Sequence, residues 1–103
     1  MSDAAPKGYL IANLTVTDPE GYAPYRELVP AVIAQFGGRY LVRAGAVQDV
    51  EGALGFDRCV VVEFDSVDAV RAFYFSEAYA PLLAIRSRTT RSHVSIVAGF
   101  VAP

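Results

Sequence analysis

The sequence predicts a single α+β domain in the order strand, helix, strand, strand, helix, strand, with a four-stranded antiparallel sheet and its helices on one face. Three observations lead there. Residues 8–16, 39–47, 58–64 and 93–100 have strand composition, with apolar side chains on alternate positions. Two further segments, opening at Asp18 and at Ser66, begin with helix caps and carry apolar residues every three or four positions. Finally, 103 residues, 53% hydrophobic and 19% charged, suit one domain over residues 1–103, because a chain of this size buries roughly two-thirds of its unfolded surface.

In the first strand, GYLIANLTV, Leu10, Ala12, Leu14 and Val16 share one side and Tyr9, Ile11, Asn13 and Thr15 the other. Asp18-Pro19-Glu20 then supplies an N-cap, a proline at the first helical position and an acid favoured by the helix dipole. Tyr22, Tyr25, Val29, Val32 and Phe36 form the buried stripe of this helix. Pro24 lies near its start, but Pro30 removes an interior hydrogen bond, so two helical pieces are expected before Gly37-Gly38 ends the segment.

RYLVRAGAV forms the second strand, QDVEGALGFD a turn on Gly52 and Gly55, and RCVVVEF the third strand. With Arg43 opposite Glu63, Val42 and Ala44 join Val60, Val62 and Phe64 on one face, leaving a loop of nine residues; a one-residue slip mixes the faces. Ser66 caps the next helix, with Asp68 in its first turn and Val67, Val70, Phe73 and Tyr74 on its stripe. Ser76 caps a short helix from Glu77 to about Ile85 that tolerates Pro81, and Arg86, Arg88 and Arg91 follow in a polar connection before the strand HVSIVAGF.

The net charge of −2 and pI near 5.2 provide no footprint for nucleic acid or an anionic membrane, so a small, uncharged partner is expected on charge alone. No apolar run reaches the length of a spanning helix, and MSDAAPKG lacks the order of a signal peptide, so a cytoplasmic location is expected. Cys59 is the sole cysteine, has no metal-ligand spacing around it and reads as a buried inert thiol. Neither metal nor cofactor is expected.

Both sheet faces are rich in apolar groups. One carries Leu10, Leu14, Val42, Val62, Ile96 and Phe100; the other mixes Ile11, Leu41, Val61 and Val97 with Asn13, Arg43, Glu63 and Ser95. Two helices cover one face only, and the other then predicts a homodimer packed sheet against sheet.

The runs GYLIANLTVTDPEGYAPY, GGRYLVRAG, RCVVVEFDS and FYFSEAY, with Glu51-Gly52 and Arg86, resemble the proteins grouped as domain of unknown function thirteen-thirty, in the dimeric α/β-barrel superfamily. The likeness covers about residues 8–100 and implies a ferredoxin-like fold, a barrel made by two protomers and no agreed activity. Superfamily relatives range from cofactor-free monooxygenases, isomerases and haem peroxidases to ligand-sensing domains. The pattern falls on Asp18, Tyr25, Gly38, Arg43, Gly45, Gly52, Arg58, Glu63, Phe64, Ser66, Tyr74, Ser76, Tyr79 and Arg86. The chain departs from it at Phe73, where tryptophan is usual, at Phe75, at Glu77-Ala78 and at Ala98, changes that make a pocket or interface more apolar.

The candidate site centres on Arg43 and Glu63. A structural reading makes them an ion pair at an interface or under a helix. A functional reading has Arg43 hold a carboxylate or enolate through its forked donors while Glu63, lifted by desolvation, serves as general base. Asn13, Tyr25, Tyr74 and Arg86 are the candidate substrate-binding residues. His93 opens a strand beside a polar connection and reads as a surface residue. Two functions stay open: a cofactor-free enzyme acting on a small organic acid or carbonyl compound by proton transfer or oxygenation, and a non-catalytic ligand-binding or structural dimer.

Overall fold

The computed structural model describes residues 6–103; the opening MSDAA, part of the segment read above for a signal peptide, lies outside the described residues. The elements are β1 (Gly8–Val16), α1 (Pro19–Gln35), β2 (Arg39–Gly45), β3 (Arg58–Phe64), α2 (Val67–Tyr74), α3 (Ala80–Thr89) and β4 (Thr90–Ala98). The four strands form one antiparallel sheet in the order β2-β3-β1-β4, and the three helices complete the predicted α+β ferredoxin-like fold.

Alternation in β1 decides the layering. Leu10, Ala12 and Leu14 are buried beneath the helices, next to Val62 and Phe64 of β3 and across from Tyr25, Val29 and Ile33 of α1. Phe73 of α2, 1% exposed, closes the core from the other side, its ring centroid 5.4 Å from that of Phe64. The outer face, which includes Tyr9, Ile11, Val61 and Glu63, carries no helix. Cys59 sits on that face half buried rather than buried. Among the described residues no helix is long and apolar enough to cross a membrane.

The helix starts follow the predicted chemistry at Asp18, which accepts the Gly21 N–H at 3.2 Å, and at Ser66, which accepts that of Ala69 at 3.0 Å. Gly37, at φ 80°, takes the left-handed conformation that ends α1.

Besides Cys59, three expectations are corrected. First, α1 runs unbroken through Pro30. Pro30 has no N–H for the carbonyl of Arg26 four residues back, and the guanidinium of Arg43 donates to that oxygen instead, at 2.8 Å. Tertiary structure thus replaces the missing helical bond.

Second, Arg39, not Arg43, lies opposite Glu63, and Arg43 lies opposite Val60. The register shifts between Tyr40 and Val42 and again between Arg43 and Gly45, with Ala44 at φ 57°. Such bulges break the two-residue alternation. Val42 therefore joins the outer face, and Arg43 turns to the helix side.

Third, α3 begins after Tyr79 and runs through Arg86 and Arg88, and β4 follows directly from Thr90. Ser76 still accepts the Tyr79 N–H, at 3.1 Å, but it shapes the turn ahead of the helix. The hydroxyls of Thr89 and Thr90 bond back to the carbonyls of Ile85 and Arg86, both at 2.7 Å, and tie the last turn into the strand.

Candidate functional site

A cavity of about 210 Å³ lies between the inner sheet face and the helices. Its floor is apolar: Leu10, Ala12 and Leu14 from β1, with Val60 and Val62 from β3. From above come Tyr22 and Tyr25 of α1, spaced to face the sheet together, and Phe73 and Tyr74 from the end of α2. Arg26 and Arg43, both exposed, stand at its open side, whereas Arg86, only 4% exposed, lines it from α3. Arg58 also lines the wall, 6.0 Å from the ring centre of Tyr22.

The interior polar groups form one chain. The hydroxyls of Tyr25 and Tyr79 lie 2.8 Å apart. Arg86 donates through Nε to Tyr79 at 3.3 Å, through Nη2 to Tyr74 at 2.9 Å and through Nη1 to Ser92 at 2.5 Å. All three acceptors are neutral hydroxyls. Among the described residues no aspartate or glutamate lines the cavity, so the desolvated guanidinium, whose burial costs several kcal/mol in general, has no ionic partner among them.

Burial, reinforced by the neighbouring Tyr79, pushes the Tyr25 hydroxyl far above the usual tyrosine range, which keeps it a neutral donor. Burial likewise raises Tyr22, against the pull of Arg58. For Arg86, burial works against the charge, but Tyr79 and the other tyrosines outweigh it and its pKa rises, so the cation persists.

The predicted residues divide. Arg43, Tyr25, Tyr74 and Arg86 meet around the cavity; Glu63 and Asn13 do not line it. Glu63 lies on the outer face, accepting from Tyr9 at 2.9 Å and pairing with Arg39 at 2.5 Å. The Tyr9 hydrogen bond, followed by Arg39, overcomes desolvation and lowers the Glu63 pKa, the opposite of the rise a general base requires. Asn13 is occupied by the β2–β3 loop: its side chain donates to the Gly55 carbonyl at 3.1 Å and accepts the Asp57 N–H at 2.9 Å. His93 is exposed opposite Asn13.

Sequence reasoning passed over Tyr79, Arg58 and Ser92 as site residues. Tyr79 and Arg58 belonged to the pattern of the resemblance, which was a usable signal; Ser92 had none, because its role depends on where α3 ends.

The family model described as Domain of unknown function (DUF1330) matches residues 7–100. The chain belongs to that family. Among solved structures, this DUF1330 chain is similar to a protein of unknown function from Rhodopseudomonas palustris, at TM-score 0.75 and 14% identity, covering 95% of this chain and 85% of that one. It is also similar to SnoaB, a cofactor-independent oxygenase from Streptomyces nogalater, at TM-score 0.58 and 16% identity over 96% and 95% of the two chains. A candidate antibiotic biosynthesis monooxygenase from Caulobacter crescentus matches at TM-score 0.58 and 14% identity over 95% and 93%. These likenesses support the α+β fold with a four-stranded antiparallel sheet, the protomer fold of dimeric α/β-barrel proteins. No curated protein matches the sequence.

Proposed function

We propose that this DUF1330 protein is a small-molecule-binding homodimer, with one cavity per protomer that accepts a small organic acid or carbonyl compound. The observation that carries the reading is the cavity itself: apolar floor, aromatic roof and one buried cation held by hydroxyl groups. Pockets for small molecules combine mostly apolar walls with a few convergent polar groups in this way. The dimer is supported by the outer sheet face, where Leu41 is 54% and Val97 40% exposed beside Ile11 and Val61.

The chemistry that fits is cofactor-free. Arg86 and Tyr74 stand where negative charge on a substrate oxygen would be stabilised, favouring transfer of a proton from the carbon beside a carbonyl to solvent water. SnoaB, similar in fold, is a cofactor-independent oxygenase, and oxygenation of a carbanion so formed is the corresponding reaction here. Non-catalytic binding is the second reading, and one observation favours it: among the described residues the lining includes neither a carboxylate nor a histidine to act as base.

Thermal shift and calorimetry with a panel of small acids and ketones test binding. NMR in deuterated water then reads exchange of the ligand's α-proton, and an oxygen electrode reads uptake. Binding with exchange or uptake supports the enzyme, binding alone supports the second reading, and no binding across the panel removes both.

A further inference from the structure

We infer that the ligand is a monoanion with a flat apolar body, of roughly nine non-hydrogen atoms by comparison with the benzene held in an apolar cavity of about 150 Å³, and that its charged oxygen sits on Arg86. This rests on the reading that the cavity holds a small molecule, and names the class it selects.

A guanidinium carries five N–H groups. Three bonds account for Arg86: one each to Tyr79, Ser92 and Tyr74. One N–H on each terminal nitrogen therefore has no acceptor among the described residues. These two donors remain free to donate to a carboxylate or enolate oxygen. Neither ion pair among the described residues involves Arg86. Its charge is thus desolvated and has no carboxylate counter-ion among the described residues, a place that an anion fills and a neutral ligand does not.

The remaining walls limit the rest of the ligand. Phe73 and Tyr79, with ring centroids 4.5 Å apart, face an apolar floor of β1 and β3. Of the other arginines in the lining, Arg58 is half buried with its guanidinium 6.0 Å from the Tyr22 ring centre, and Arg26 and Arg43 are exposed, where water screens them; none is buried as Arg86 is, which favours a single charge on the ligand. A monocyclic aromatic acid fills the space with its ring on the floor and its oxygen at Arg86.

Calorimetry at neutral pH with benzoate and benzamide tests this, since the two share a shape and differ in charge. Wild-type protein is expected to bind benzoate at least about tenfold more tightly. Arg86→Met is expected to erase that preference, so that the two probes bind within about threefold of each other. The nitrogen resonance of Arg86 Nε should shift with benzoate and not with benzamide, a readout that stands even where Arg86→Met does not fold.

Equal binding of both probes to the wild type overturns the anion assignment and leaves the cavity proposal standing. A benzoate preference that survives Arg86→Met overturns it too, assigning charge recognition to another arginine. Binding of neither probe overturns this inference, while the wider panel of acids and ketones decides the cavity proposal separately.

Discussion

Arg43 holds α1 together at Pro30, and a double-mutant cycle measures this directly. In the wild type its Nη2 donates to the Arg26 carbonyl at 2.8 Å, and its guanidinium lies 4.9 Å from the Tyr40 ring centre. The hydrogen bond, exposed and charge-assisted, contributes about 1 kcal/mol, and the cation–π contact about 0.5–1 kcal/mol. Arg43→Ala should therefore cost roughly 1.5–2 kcal/mol. With Pro30→Ala, residue 30 regains an N–H and bonds the Arg26 carbonyl itself, so the same Arg43 change should cost only the Tyr40 share. The coupling is about 1 kcal/mol, above the roughly 0.3–0.5 kcal/mol tolerated for independent sites. Urea denaturation followed by circular dichroism, at one fixed protomer concentration, reads all four corners of the cycle. Additive costs within that tolerance would refute the argument that Arg43 replaces the proline's missing donor. In thermal melts the coupling amounts to about 4–8 °C for a domain of this size.

Other outcomes follow from the same geometry. Because the Glu63 pKa is lowered in the folded state, chiefly by Tyr9, its stabilising share is present above the unfolded value and lost as pH falls through the folded one; Glu63→Gln should flatten urea midpoints measured from neutral pH into the acid range. The raised Tyr25 pKa works in the other direction: its share is complete below the ordinary tyrosine value and lost at higher pH, so Tyr25→Phe should reduce alkaline sensitivity in the same assay. Val61→Asp places a charge in the middle of the outer sheet face and should convert a dimer to monomer in sedimentation, leaving circular dichroism unchanged. Ala44→Gly relieves a left-handed residue worth about 1–2 kcal/mol of strain but costs about 0.5–1 kcal/mol in chain entropy, so a net gain of about 0–1.5 kcal/mol is expected from urea denaturation.

The parts of the fold legible in the sequence were those dictated by neighbours along the chain. Strand β1 shows uninterrupted alternation from Leu10 to Leu14, and the Asp18-Pro19 and Ser66 starts rest on side chains bonding three residues ahead. What stayed hidden depended on distant partners. Nothing near Pro30 announces that Arg43 will serve the Arg26 carbonyl, and a bulge at Ala44, a residue with no special liking for positive φ, leaves no mark in composition. Arg86 was a candidate binding residue through the family pattern alone; its place in the chain read as a polar connection, because a run of arginines after a helix end normally faces water. Its burial follows from Tyr74, Tyr79 and Ser92 converging on it from three parts of the chain.

The bulge in β2 sorts the charged residues between the two faces. Regular alternation would place Arg43 on the outer face with Arg39 and Glu63, adding a second cation to a pair already closed by Tyr9. The shift between Tyr40 and Val42 instead carries Val42 outward beside Val61 and Arg43 inward to the mouth of the cavity. One irregularity therefore makes the outer face more apolar, as a sheet-to-sheet interface needs, and the cavity mouth more positive, as an anion's entry needs. The acid that drew attention in the sequence, Glu63, belongs to the first of these surfaces, and the buried cation Arg86 belongs to the second. Variants of Glu63 should accordingly act on acid stability and association, and variants of Arg86 on ligand charge preference, with little crossing between the two.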